Sequence, residues 1–180
     1  MAPVRVIGGR SRGRRLAAKL PESVRPTSDR VREAIFDILG SQGGVAGLRV
    51  VDLYCGSGAL GLEALSRGAA AATFVDQDPG ALAAVKANLE AVGLGDEPAT
   101  LVRAALPGWL GNAPVFDLAL CDPPYDFDGW AALLEVLRAD VVVLESRAPV
   151  SVPAEGWMVT RERRYSGTLV TVAHRSGAGS

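Results

Sequence analysis

The stretch "VVDLYCGSGALG", residues 50–61, runs from apolar residues through closely spaced glycines into a further apolar segment. Such an order is typical of a buried strand that turns sharply into a helix. Gly56, Gly58 and Gly61 have the G-x-G-x-x-G spacing of loops whose backbone lies against a nucleotide. The stretch therefore predicts a Rossmann-like α/β sheet. By itself it admits nicotinamide and flavin dinucleotides, and it also permits glycines that serve only tight strand-to-helix packing.

The rest of the chain alternates between strand-like and helix-like segments. Apolar runs at "ATFVD", "ATLV", "VFDLALC" and "DVVVLE" predict further buried strands, and amphipathic segments between them predict helices. Near the end, "GWMVTRERRY" and "TLVTVAH" flank Ser166 and Gly167, which predicts an antiparallel hairpin. Continuously apolar strands that alternate with helices indicate a mostly parallel sheet covered on both faces. We expect residues 25–180 to form this domain.

The charge of the chain is unevenly distributed. The 180 residues are 48% hydrophobic and 22% charged, an ordinary globular balance, with a net charge of −1. Residues 1–32 nevertheless contain nine basic and two acidic side chains, whereas residues 33–160 contain six basic and seventeen acidic ones. Residues 1–24 therefore predict a basic N-terminal β-hairpin that binds a polyanion through phosphate contacts, with a solvated tail as the alternative. Its clustered arginines are Arg10, Arg12, Arg14 and Arg15.

The composition also bounds the compartment and the metal chemistry. The apolar runs are too short to cross a bilayer and the first residues lack the apolar core of a secretion signal, so we expect a cytoplasmic protein with no membrane partner. Cys55 and Cys121 end strand-like runs, which predicts buried thiols rather than ligands. Because the chain has a single histidine, His174, we expect no metal site. We also expect a monomer.

Two carboxylates beside the glycine loop favour a particular cofactor. Asp52 lies four residues before the first glycine, where it suits an ammonium group better than a pyrophosphate. Asp76 ends the second predicted strand, eighteen residues after Gly58, at the distance of a carboxylate that accepts hydrogen bonds from ribose hydroxyls. S-adenosyl-L-methionine carries both an ammonium group and a ribose. We therefore predict that it is the cofactor.

The motif "CDPPY" follows the fourth predicted strand of the sheet. If the chain crosses back after three strands, this strand lies beside the first one, and Asp122 faces the glycine loop. The Asp122 carboxylate and the Pro123 carbonyl can accept hydrogen bonds from an exocyclic amino group and turn its lone pair toward a methyl donor. Prolines stiffen the loop, and Tyr125 offers a flat face to a base. The motif predicts methyl transfer to an amino nitrogen; a simple proline turn is the alternative.

Taken together, these stretches resemble class I S-adenosylmethionine-dependent methyltransferases, and more closely the RsmD family of 16S rRNA guanine-N2 methyltransferases. The most specific stretch is "RPTSDRVREAIFDIL", residues 25–39, which is similar to the signature helix of that family. The resemblance implies a seven-stranded sheet that ends in the antiparallel hairpin. It also implies that the substrate is a guanine in the helix-31 loop of 16S rRNA, within a largely assembled small ribosomal subunit.

The same resemblance implies a role for each candidate residue. The methionine end of the cofactor would lie against Asp52, Tyr54, Gly56 and Gly58, the ribose against Asp76 and Gln77, and the adenine against Arg103 and Ala104. Many methyltransferases have an acidic residue after the third strand that holds the adenine amino group. This chain has Arg103 and Ala104 there, so backbone groups would hold the adenine. The lid would include Thr27 and Arg30, and the base would lie against Asp122, Pro123, Pro124 and Tyr125. Independently of the resemblance, the charge pattern predicts RNA contacts at the four clustered arginines and at Arg161, Arg163 and Arg164, and Phe127 offers a second wall to the base.

Three other functions are compatible with parts of the sequence. The Asp-Pro-Pro-Tyr motif selects an amino group rather than a particular base, so an adenine-N6 or other amino methyltransferase is the nearest alternative. The G-x-G-x-x-G loop would also serve a nicotinamide-dependent oxidoreductase, although no acid or base for hydride transfer stands beside it. An RNA-binding assembly factor without catalysis is the third alternative.

Overall fold

The computed structural model describes residues 4–17 and 28–177. Within these ranges the chain forms one sheet of seven strands and four α-helices, none of them long and apolar enough to cross a membrane. The strands are β1 (Arg49–Leu53), β2 (Ala71–Asp76), β3 (Ala99–Arg103), β4 (Phe116–Cys121), β5 (Ala139–Ser146), β6 (Trp157–Tyr165) and β7 (Thr168–Arg175). The helices are α1 (Asp29–Ser41), α2 (Ala59–Ser66), α3 (Pro79–Ala91) and α4 (Trp130–Val136), with a 3-10 turn at Gly108–Asn112.

The strand order of the sheet is β3-β2-β1-β4-β5-β7-β6. Strands β1 to β5 are parallel, and β7 runs antiparallel to both β5 and β6. Ser166 and Gly167 join β6 to β7 with φ values of 47° and 92°, as a type I′ hairpin turn requires. The predicted parallel sheet and C-terminal hairpin are thus confirmed. Because β4 lies beside β1, the loops that follow these two strands meet at one edge of the sheet.

Two apolar clusters cover the two faces of the sheet. Helices α1, α2 and α3 pack on one face around Ile35, Leu62 and Phe74, which are fully buried. Helix α4 and the 3-10 turn pack on the other face. Local signals set the helix starts. At the start of α1 the Ser28 hydroxyl accepts from the Val31 N–H at 3.3 Å, and at the start of α3 the Asp78 carboxylate accepts from the Gly80 N–H at 2.8 Å.

The N-terminal arm, residues 4–17, packs on the domain. Antiparallel backbone pairing joins its two halves, with a bridge between Arg5 and Arg15 and a bond from the Val6 N–H to the Arg14 carbonyl at 2.9 Å, but neither half forms a full strand. Val6 belongs to the main apolar cluster, and the Arg10 N–H donates to the Ser66 carbonyl at 2.9 Å. The Arg10 guanidinium also forms an ion pair with the carboxylate of Glu97, just before β3. The tip of the arm therefore lies at the edge where the parallel strands begin.

Candidate active site

The glycine loop follows β1 and adopts backbone conformations that favour glycine. Gly56 and Gly58 have φ values of 52° and 79°, in the left-handed region. Tyr54 has a φ of 57°, which a residue with a side chain rarely adopts and which tends to occur at functional sites. The chain thus leaves the sheet in a tight turn and enters α2 directly after Gly58.

Asp76 holds the glycine loop against the end of β2. One carboxylate oxygen accepts the Gly56 N–H at 3.0 Å, and the other accepts the Asp78 N–H at 3.0 Å. Each oxygen keeps a lone pair that can accept a further hydrogen bond. Asp76 is half-buried and also lines the cleft described below, so it can both order the loop and bind a hydroxyl-bearing ligand.

Asp52 lies beneath the loop rather than on its surface. Only 1% of the residue is exposed, and its carboxylate accepts the Gly61 N–H at 2.9 Å. Burial raises the pKa of this carboxyl well above its usual range; the bond from Gly61 opposes the shift, and the charges of Asp122 and Asp76 add to it. The ionised form is therefore costly unless a positive charge is near.

Two of the three glycines are required for packing. A Cβ at Gly58 would lie 2.9 Å from a methyl carbon of Val85, and one at Gly61 would lie 2.4 Å from the Phe74 ring. The interpretation of the glycines as packing residues is thus correct for Gly61, which brings α2 onto β2. Only the first two glycines shape the turn itself.

An open cleft of about 290 Å³ lies at the carboxyl edge of the sheet. Its wall includes a ring pair between Tyr54 and Phe127, with centroids 5.4 Å apart, and Trp130 packs edge-on against Phe127 at 4.8 Å. Burial raises the pKa of Tyr54 to about 12. The lining residues are Tyr54, Asp76, Gln77, Ala104, Leu106, Pro124, Asp126, Phe127 and Asp128.

Four of the residues predicted for the cofactor line this cleft. Tyr54, Asp76, Gln77 and Ala104 come together there. Arg103 turns to the Gln77 carbonyl, to which its Nε donates at 3.3 Å. Phe127, predicted as an RNA contact, faces this cleft instead. Leu106, Asp126 and Asp128 also line the cleft and were not predicted; their places, shortly after β3 and shortly after the Asp-Pro-Pro-Tyr motif, were the available signal.

The Asp122 loop, residues 122–128, stands beside the glycine loop. Asp122 is half-buried, Pro123 is buried, and Tyr125 is 56% exposed. Burial raises the pKa of the Cys121 thiol, and neighbouring carboxylates add to this shift, so the thiol is unsuited to act as a nucleophile. The Tyr125 ring is covered by Arg147, whose Cζ lies 3.6 Å from the ring centroid. Arg147 was not predicted, although its position one residue after β5, the neighbour of β4, pointed to this edge.

The remaining predicted residues lie at the surface or outside the described residues. Thr27 lies outside the described residues, so its place in the lid stays a prediction. Arg30 is exposed in the first turn of α1. The arginines predicted to contact RNA are all exposed: Arg10, Arg12, Arg14 and Arg15 in the arm and Arg161, Arg163 and Arg164 in the edge strand β6.

The sheet order, the glycine loop after β1 and the acidic loop after β4 define the class I methyltransferase fold. A magnesium protoporphyrin IX methyltransferase from Synechocystis, solved with bound S-adenosylmethionine, has this fold with a TM-score of 0.62 at 19% identity, over 82% of this chain and 79% of that one. A solved Thermus protein is more similar, with a TM-score of 0.78 and 32% identity, covering 94% of this chain and 98% of that one.

The chain belongs to the family described as "Conserved hypothetical protein 95", whose model matches residues 4–174. Two bacterial relatives carry the name ribosomal RNA small subunit methyltransferase D. The protein from Escherichia coli is 33% identical over 98% of this chain and 92% of its own length. The protein from Haemophilus influenzae is 32% identical over 89% of this chain and 88% of its own length.

Proposed function

We propose that this protein methylates the exocyclic N2 amino group of a guanine in the rRNA of the small ribosomal subunit, with S-adenosylmethionine as the methyl donor. The observation that carries the proposal is the meeting of two loops: the glycine loop with its cofactor-type cleft, and the Asp122 loop with its amino-group acceptors. The names of the relatives, small subunit rRNA methyltransferases, support the substrate class.

The cleft and the glycine loop suit S-adenosylmethionine in three features. Asp76 offers a carboxylate lone pair to ribose hydroxyls, and the apolar walls of Leu106 and Phe127 suit an adenine ring. The carboxylate of Asp52 lies below the loop, and an ammonium group above it would compensate the cost of its ionisation. When bound, the cofactor supplies an electrophilic methyl group on a sulfonium.

The residues of the Asp122 loop, which we call the target-base loop from here on, orient the nitrogen that is methylated. The lone pair of an aromatic amino group is delocalised into the ring, so the nitrogen is a poor nucleophile until its N–H bonds are turned. The Asp122 carboxylate and the Pro123 carbonyl accept these N–H bonds from fixed positions, because the prolines hold the loop. Stacking of the base on Tyr125 completes the alignment.

The RNA contacts of the arm would lie far from the target base. Its tip is near the start of the strands, and the target-base loop is near their end. Strand β1 alone has five residues, or about 17 Å at about 3.3 Å per residue. The exposed arginines of the arm would therefore hold a separate part of the subunit and take no part in the chemistry.

The test is methyl transfer to small subunits by wild-type protein and by Asp122→Ala. We expect kcat to fall by about a hundredfold or more, as for the loss of a preorganised hydrogen-bond group in other active sites, while cofactor affinity stays within about twofold. Asp140→Ala removes an exposed carboxylate at the far end of β5 and is the matched control.

Mass spectrometry of the rRNA digest identifies the product. N2-methylguanosine supports the proposal, whereas N6-methyladenosine in rRNA or in duplex DNA contradicts it. Near-normal turnover by Asp122→Ala would remove the assigned role of the carboxylate.

A further inference from the structure

The Tyr125 ring, on which the proposed target base stacks, is already covered in this structure. The Arg147 guanidinium lies over it, with Cζ 3.6 Å from the centroid. The contact joins two loops, because β4 and β5 pair in parallel and Cys121 is the register partner of Leu144. The loop after β5 therefore stands beside the target-base loop.

The backbone of Arg147 is held, whereas its side chain is exposed. Arg164 on β6 donates from Nη1 to the Arg147 carbonyl at 3.0 Å, and the Ser146 hydroxyl donates to the Ala148 carbonyl at 2.7 Å. The Arg147 side chain itself is exposed and lies on an exposed ring. Such an anchored residue can change rotamer without any movement of the sheet.

The target-base loop has an electrostatic disadvantage for an RNA enzyme. Asp122, Asp126 and Asp128 place three carboxylates within seven residues, and the latter two are exposed. Each would repel a phosphate that approaches with the target nucleotide. Arg147 brings a positive charge to this loop, and Arg164 lies directly behind it.

We propose that Arg147 is an RNA-positioning residue that covers Tyr125 in the free protein, is displaced by the target base, and then binds a phosphate next to the target nucleotide. This inference rests on the function proposed above. Displacement is favourable because a cation–π contact at an exposed site is weaker than the stacking of a nucleobase on an aromatic ring. A guanidinium also gains bidentate hydrogen bonds from a phosphate, which the ring cannot provide.

Steady-state methylation of small subunits over a salt series tests the proposal. For Arg147→Ala we expect KM for the subunit to rise about 5- to 10-fold with kcat within about twofold, and the slope of log affinity against log salt to fall by about 0.7 to 0.9. Arg147→Lys keeps the charge, so we expect it to retain the wild-type slope. Tyr125→Leu should raise KM without changing the slope, because it removes stacking and no charge.

The control is Arg138→Ala, which removes an exposed arginine at the opposite end of β5 and should match the wild-type protein in KM and slope. In the free protein, the ring current of Tyr125 should shift the δ-methylene proton signals of Arg147, and this shift should vanish in Tyr125→Leu.

The inference would be overturned by a wild-type KM and slope in Arg147→Ala, by an Arg147→Lys protein that behaves as the alanine variant, or by a missing ring-current shift. A loss of cofactor affinity in Arg147→Ala would also overturn it, since it would indicate a structural role. Failure of the proposed function itself is visible separately, as the absence of rRNA methylation by the wild-type protein.

Discussion

Replacing Gly61 by alanine is expected to destabilise the protein through a single clash. A Cβ at this position would lie 2.4 Å from Cε1 and 2.8 Å from Cζ of Phe74. Carbon atoms pack at about 3.5–4.0 Å, so the shortest contact is too close by roughly 1.1–1.6 Å. Phe74 is 0% exposed, as are Leu62 and Leu65 on α2, so neither side can move freely.

The cost follows from measured overpacking of cores, about 1–3 kcal/mol. For a chain of this size each kcal/mol lowers Tm by roughly 2–4 °C, so we expect a loss of roughly 2–12 °C. Relief of the clash requires α2 to move away from β2, which lengthens the bond from the Gly61 N–H to Asp52, now 2.9 Å. Cofactor affinity should therefore fall together with stability.

Thermal unfolding followed by circular dichroism, with calorimetric titration of the cofactor, measures both effects. Gly40→Ala is the matched control, because a Cβ there meets nothing within 4 Å and the residue lies in α1. It should stabilise the protein, by up to about 1 kcal/mol. Combining Gly61→Ala with Phe74→Leu removes the ring atoms of the clash, so the two changes together should cost less than their sum. A wild-type Tm for Gly61→Ala, or strictly additive losses of stability in the double variant, would contradict the predicted clash with Phe74.

Two further predictions concern the carboxylates beside the glycine loop. Burial raises the folded-state pKa of the Asp52 carboxyl. The protonated carboxyl therefore contributes its full stability below the unfolded pKa of about 3.9, and this contribution is lost as pH rises through the raised pKa. Asp52→Asn keeps an acceptor for the Gly61 N–H and removes the charge. It should raise the Tm of the ligand-free protein at neutral pH, and this increase should shrink toward about pH 4. An increase in Tm that does not depend on pH would contradict this prediction. Asp76→Ala should weaken cofactor binding by about 1.5–3 kcal/mol, or about 10- to 150-fold in Kd by calorimetry, and an unchanged Kd would move the ribose contact elsewhere.

Much of the fold was predictable because its signals are local. Ser28 and Asp78 cap helices through bonds to residues two or three positions away, and the turn at Ser166 and Gly167 needs only its own backbone angles. The crossing that places β4 beside β1 was also expected, because parallel sheets of this kind have few alternative windings. For the same reason the residues around Asp76 and Asp122 could be named as neighbours before the structure was known.

Other features depend on contacts between distant parts of the chain, and the sequence carried little sign of them. The inward turn of Phe127 depends on the Tyr54 ring, and the contact of Arg147 with Tyr125 depends on the loops after two neighbouring strands.

Local sequence signals were enough to predict the order and type of the elements, the glycine loop and the acidic motif after β4, because periodicity, caps and turn residues act over a few positions. The packing of the arm, the aromatic ring that faces the cleft and the arginine that lies over Tyr125 depend on tertiary contacts instead. These choices come from side-chain packing and hydrogen bonds between residues far apart in the chain. The arm, for example, bonds to the Ser66 carbonyl, which only the folded domain places beside it.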